Sequence, residues 1–108
     1  MKNIVITGVS TGIGYNTSKM LVNSGYRVFG SVRKISDAEK IKNELGDNFY
    51  PLIFDVRDES QIKEAVAEVE KIVGDSGIDC LVNNSGIAIG GPVLHIETDI
   101  FRKQFEVN

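Results

Sequence analysis

A short β-branched run, Ile4-Val5-Ile6, ends on the glycine-rich string Thr7-Gly8-Val9-Ser10-Thr11-Gly12-Ile13-Gly14, and apolar residues resume at Met20 and Leu21. That order predicts a strand, a tight turn and a helix. Glycines let the turn close and bring its backbone near a bound group, and the free N–H groups opening the next helix suit an anion. The turn is therefore expected to form a phosphate site. Two common phosphate motifs fail here. A P-loop needs Gly-Lys-Ser/Thr, and this turn holds no lysine. The dinucleotide fingerprint G-x-G-x-x-G, started at Gly12, meets Thr17 where its third glycine belongs.

Strand-like and helix-like segments alternate along the rest of the chain. Gly12 to Ser24 reads as the first helix, closed by Gly25. Tyr26 to Val32 reads as a second strand. Ser36-Asp37-Ala38-Glu39 has the spacing of a capping box, opening a helix that ends near Gly46. Phe49 to Phe54 is a third strand, which Pro51 assigns to a sheet edge. Asp58 opens the clearest helix, with Ile62, Ala65, Val66, Val69, Ile72 and Val73 at three- and four-residue steps and a solvated charged face between them. Ile78 to Val82 is a fourth strand, and Thr98 or Asp99 is expected to cap a last helix. Alternation of this kind implies parallel crossovers. The predicted fold is α/β, a doubly wound parallel sheet whose first half has strand order 3-2-1-4, with a ligand site where the order reverses.

Composition narrows the function classes. With 108 residues, 42% hydrophobic and 25% charged, the chain is expected to be one domain or part of one. A net charge of −3 supplies no basic field for nucleic acid or an anionic membrane. No apolar run approaches the ~20 residues of a membrane span, and the apolar start is too short for a secretory signal. The single cysteine excludes an internal disulfide and fits a reducing cytoplasm.

The turn also fits T-G-x-x-x-G-x-G, and in this respect the chain resembles the short-chain dehydrogenase/reductase family. Asp55-Val56 after the third strand, Asn83-Asn84-Ser85-Gly86 after the fourth, Gly91-Pro92 and Val107-Asn108 match the family's later motifs in order. Serine replaces the usual alanine of N-N-A-G. The resemblance covers all 108 residues, but only the first half of the family's usual length. It implies a nucleotide-binding half of one Rossmann-type domain, ending before the catalytic segment. The implied activity of the parent protein is hydride transfer between a nicotinamide and a small carbonyl or alcohol, in a protein that commonly forms homo-oligomers. A non-catalytic nucleotide-binding or sensor module ending at Asn108 is the alternative.

The resemblance also assigns residues. Gly8, Gly12 and Gly14 form the turn with Ile13, and Ser10 and Thr11 offer hydroxyls to phosphate or ribose. An acid at the end of the second strand would hold the ribose hydroxyls of NAD. Here Val32 takes that place, followed by Arg33-Lys34. A guanidinium suits a phosphate dianion, so Arg33 points to NADP(H) over NAD(H); the plainer reading is a solvated basic pair. Asp55 is expected at the adenine amino group with Val56 supplying a backbone contact, and Asp58 at the helix cap. The asparagine backbone at Asn83 and Asn84 and the small residues Ser85 and Gly86 are expected to pass the ribose, and the asparagine side chains to tie strand four to its neighbours. Asn108 is assigned a supporting catalytic role through an ordered water.

The family's tyrosine, lysine and serine fall beyond residue 108. Tyr15 and Lys19 have the Y-x-x-x-K spacing, but they follow the glycine turn directly, on the pyrophosphate side, and are read as a decoy. Cys80 is expected to be a buried free thiol and His95 an exposed loop residue, with no metal site.

Overall fold

The computed structural model describes residues 1–87 and 90–108. Strand β1 (Asn3–Ile6), helix α1 (Gly12–Asn23), strand β2 (Arg27–Val32), helix α2 (Ile35–Leu45), strand β3 (Phe49–Ile53), helix α3 (Glu59–Val73), strand β4 (Cys80–Val82) and helix α4 (Thr98–Val107) follow in order, with 3₁₀ turns at Gly74–Ser76 and Val93–His95. The four strands form one parallel sheet of order β3-β2-β1-β4. The sequence-based topology is thus observed, including the edge position of β3, where Pro51 pairs with Gly30.

Strand alternation divides the core between the two faces. Ile4, Ile6, Val28, Val32 and Phe49 pack with Ala38 and Ile41 of α2 and with Leu21 and Val22 of α1. Phe29 and Leu52 face the other way, with Phe54, against Ala65, Val69 and Val73 of α3. Each large side chain buried in this way contributes about 1.5–3 kcal/mol. Helix α3 is well bounded. Asp58 accepts a hydrogen bond from the Gln61 backbone N–H at 3.1 Å, and Gly74 closes the helix at φ 55°.

Several local expectations need correction. The 36–39 capping box does not form: the Ala38 N–H already donates to the Lys34 carbonyl, so Ser36 lies inside the helix and Lys34 is its N-cap. Helix α4 starts at Thr98, with Glu97 as N-cap and no side-chain cap bond. Strand β4 begins two residues later than expected, because Asp79 instead accepts from the Asn3 N–H at 2.7 Å and donates its own N–H to the Asn3 carbonyl. Cys80 is exposed rather than buried, since β4 is the outermost strand on its side of the sheet. The apolar stripe of α3 is narrower than its sequence pattern. Val66 and Ile72 are 50% and 40% exposed. Val66, Ile78 and Leu81 line an open apolar groove of about 650 Å3 between α3 and the edge strand.

The cap on α3 gives a direct test. Asp58→Ala leaves the Gln61 N–H without its acceptor and is expected to lower stability by about 1 kcal/mol, read as a lower urea midpoint at an unchanged slope.

Candidate functional site

Everything about the glycine turn depends on how closely three segments meet at the carboxyl end of β1. The Thr7 N–H donates to the Val82 carbonyl at 3.1 Å, continuing the β1–β4 ladder by one bond. Thr7 is buried, at 8% exposure, and its hydroxyl accepts from the Asn84 and Ser85 N–H groups at 3.0 and 2.9 Å. On the other side, the Gly8 N–H donates to the Ser31 hydroxyl and the Val9 N–H to the Ser31 carbonyl, both at 2.9 Å. The Asn84 side chain donates to the Gly8 carbonyl at 2.9 Å. The turn is stitched to β2 and to the loop after β4 at once.

This closeness requires glycine at two positions. Gly8 has φ 70°, and a Cβ there would meet the Ser85 hydroxyl at 2.8 Å. A Cβ on Gly14 would stand 2.1 Å from the Gly8 carbonyl oxygen, a backbone atom that cannot yield. Helix α1 therefore begins against the turn. Thr11 occupies its N-cap without a side-chain cap bond, and its first turn carries no acid, so positive helix-end potential is left for an anion.

Beside the turn lies a cleft of about 300 Å3. Gly8, Ser10, Thr11, Asn84, Ser85 and Gly86 line one part of it, and Ser31, Val32, Arg33, Asp55 and Val56 another. Ile87 and Val107 also line it. The volume is at the lower end for small-molecule sites. Most of the sequence-assigned residues thus meet in one place. Gly12, Ile13 and Gly14 stand outside the lining; Ile13 is 78% exposed, and Gly12 serves the turn through its φ of 65°. Asn83 lines the apolar groove on the opposite face of the sheet instead.

Charges at the cleft are arranged in a definite way. Arg33 makes no ion pair among the described residues. The Asp55 carboxylate is gripped by Arg57: Nε donates to Oδ1 at 3.0 Å, Nη2 to Oδ2 at 2.7 Å, and the Arg57 N–H to Oδ1 at 2.9 Å. The Arg57 side-chain bonds, then its backbone bond and its charge, with a smaller pull from Arg33, lower the Asp55 pKa from the ordinary 3.8 to about 2. Asn108 holds the far wall. Its Oδ1 accepts from the Ile87 N–H and its Nδ2 donates to the Ile87 carbonyl, each at 2.9 Å.

Tyr15 is elsewhere. Its hydroxyl donates to the Glu44 carboxylate on α2, and that bond, with some burial and the Glu44 charge, raises its pKa. Lys19 is exposed on the same helix. His95 is exposed, and no His/Cys/Asp/Glu cluster suited to a metal occurs among the described residues. No helix among them is long and apolar enough to cross a membrane.

Comparison with known proteins gives the fold and the cleft a family. The family model described as short chain dehydrogenase matches residues 2–108. The chain belongs to the short-chain dehydrogenase family. It is similar to an NADPH-dependent 3-dehydrocapnine reductase of Ornithobacterium rhinotracheale, 42% identical over 108 residues, which are all of this chain and 38% of that protein. It is also similar to a probable NADP-dependent dehydrogenase of Dichelobacter nodosus, 39% identical over 93 residues, with 85% of each chain covered. Among solved structures, a 3-ketoacyl-(acyl-carrier-protein) reductase from Brucella melitensis complexed with NADH superposes with a TM-score of 0.90 at 28% identity, over 98% of this chain and 43% of that one. The chain thus spans well under half the length of two of these three proteins.

Thr7, Ser31 and Arg57 were given no role from the sequence. Thr7 opens the T-G-x-x-x-G-x-G string, so a signal for it was present, whereas a small polar residue within β2 or an arginine two positions after an aspartate carries none. The tie expected of the asparagine side chains is made by Asn84, through the Gly8 carbonyl. The lowered Asp55 pKa has a pH signature. Its pairing stabilises the fold fully above the ordinary carboxylate value of 3.8 and fades as pH falls toward about 2. A carboxyl-detected NMR titration is expected to place Asp55 well below the other aspartates, and a value near 3.8 would show that the grip does not persist in solution.

Proposed function

We propose that these 108 residues are the nucleotide-binding half of an NADP(H)-dependent oxidoreductase that acts on a small carbonyl or alcohol. The observation that carries this reading is Arg33, which makes no ion pair among the described residues and lines the same cleft as the glycine turn. The turn's N–H groups and the α1 N-terminus would hold the pyrophosphate, with Ser10 and Thr11 as hydroxyl donors. Arg33 would take the 2′-phosphate, and Asp55 and Val56 the adenine. Ser85 and Gly86, beside Gly8, leave room for the ribose because neither carries a bulky side chain. Asn83 would support the loop from the opposite face, and Asn108 would fix the wall of the cleft through Ile87. A nicotinamide bound here supplies the hydride donor or acceptor; this chain's residues bind and orient it.

The names of the relatives favour an enzyme over a non-catalytic module, and two of them specify NADP or NADPH. A neighbour carrying NADH shows that this fold also accepts the unphosphorylated cofactor, so the choice rests on Arg33. The reading extends to a homo-oligomeric parent protein in a reducing cytoplasm, supported by the family and by the single cysteine.

Calorimetric titration with both cofactors tests the assignment. A charge-assisted contact is worth about 1.5–3 kcal/mol, roughly one to two decades in affinity. NADP(H) is expected to bind that much more tightly than NAD(H), and Arg33→Asp to remove the difference while leaving NAD(H) nearly unchanged. Equal affinities in the unaltered chain would refute the role of Arg33. A second expectation concerns turnover. No tyrosine and lysine at catalytic spacing border the cleft, so assays of the 108-residue chain over a panel of alcohols and carbonyls are expected to show background only. Activity lost on Tyr15→Phe would instead place the proton donor on α1.

A further inference from the structure

The nucleotide reading leaves one strong interaction without a purpose. Arg57 spends its guanidinium on Asp55, yet it stands outside the cleft lining while Asp55 is within it. The rest of Asp55 is fixed as well. Its N–H donates to the Gln61 side-chain oxygen at 2.8 Å, and its carbonyl accepts from the Asp58 N–H at 2.9 Å. Asp58 in turn accepts from the Gln61 N–H. Backbone and carboxylate are thus held from the side of α3.

Resting on the nucleotide reading above, we propose that Arg57 is a positioning residue for base recognition. It clamps the Asp55 carboxylate in one rotamer so that the acceptor site left on Oδ2 takes a hydrogen bond from the exocyclic amine of an adenine-type base. The carboxylate offers about four acceptor sites, of which Arg57 fills two on Oδ1 and one on Oδ2, so the grip leaves one on Oδ2. A planar fork on two oxygens restricts carboxylate rotation more than a single bond would, and restriction before binding lowers the entropy lost on binding. The same grip keeps Asp55 ionised and thus acceptor-only, which suits an amine and disfavours a base edge that presents a carbonyl. Arg57 and Arg33 are the charges that act on Asp55, and Glu106 of α4 acts on Arg57.

The test compares NADP+ with its deaminated analogue, in which hypoxanthine replaces adenine, by calorimetry on the full 108-residue chain. The unaltered chain is expected to prefer NADP+ by about tenfold, the worth of one hydrogen bond to a charged group. Arg57→Gln is expected to lose most of that preference, weakening NADP+ about fivefold or more and the analogue less than about twofold. Arg57→Lys keeps the charge but not the fork, so it is expected to fall between, and it carries the test if Arg57→Gln does not fold. A pH series adds a readout that a purely structural role would not move. In Arg57→Gln, Asp55 returns toward 3.8, so the part of the NADP+ preference over the analogue that survives is expected to fade as pH falls from about 5 to 3.5, where the unaltered chain keeps its preference. Equal weakening of both ligands, or no change in either, would overturn the proposal. Arg33→Asp alters the NADP+/NAD+ ratio and not the adenine/hypoxanthine ratio, which separates the two readings. Absence of any dinucleotide binding by the unaltered chain would overturn both.

Discussion

Helix α1 can start where it does only because Gly14 presents no side chain to the Gly8 carbonyl, which lies 2.1 Å from where a Cβ would stand. That approach sets the geometry of everything nearby. It holds the turn tight enough for Gly8 to reach Ser31 on one side and Asn84 on the other. It also leaves the N-terminus of α1 beside the cleft with no acid in its first turn. Two neighbouring strands then converge on one turn, and their ends supply the remaining walls. The topology explains the location: β1 has β2 on one side and β4 on the other, so the chain order reverses at β1 and opens a crevice there.

Two arginines with different partners set the charge at the cleft, Arg33 within its lining and Arg57 outside it. Arg57 is satisfied by Asp55 through a bidentate pair, whereas Arg33 meets no carboxylate at ion-pair distance among the described residues. The partly exposed Asp55–Arg57 pair adds little to stability on Coulombic grounds alone. Its importance is geometric, since it commits the carboxylate to Arg57 with only a weaker pull from Arg33 and leaves the Arg33 guanidinium without an ion-pair partner among the described residues. Had Asp55 paired with Arg33 instead, the cleft would be electrostatically closed.

The turn, the strand order and the position of Arg33 were legible in the sequence because each follows from local chemistry: glycine after a β-branched run, alternation of apolar periods, an arginine one residue past a strand. The pair Asn83-Asn84 shows where that legibility stops. Successive residues leaving a strand face opposite sides of the sheet, so one asparagine had to enter the cleft and the other had to leave it. Only the register of β4 against β1, with Val82 opposite Ile6, decides that Asn84 reaches Gly8 while Asn83 borders the apolar groove. Cys80 failed for a related reason. An apolar neighbourhood in sequence predicts burial, but exposure depends on what lies beside the strand, which the local pattern does not contain.

The walls of the cleft differ in how firmly they are held, and the difference follows from burial. The turn and β2 rest on the fully buried Ile6, Val9 and Val28, and opening them would expose that core. The wall formed by Ile87 and Val107 has no such foundation. Helix α4 buries none of its residues, and Phe105 is 83% exposed. What fastens α4 to the loop after β4 includes the two Asn108 bonds to Ile87, each exposed and therefore worth about 1 kcal/mol or less. Segments with little buried apolar surface and exposed hydrogen bonds open at far lower free energy than the core. The part of the cleft formed by the glycine turn is thereby built on the most stable part of the chain, while the wall facing it belongs to the least stable part. A ligand bridging the two would spend part of its binding energy holding α4 in place, so its affinity would depend on Asn108 and Ile87 as well as on the residues of the glycine turn.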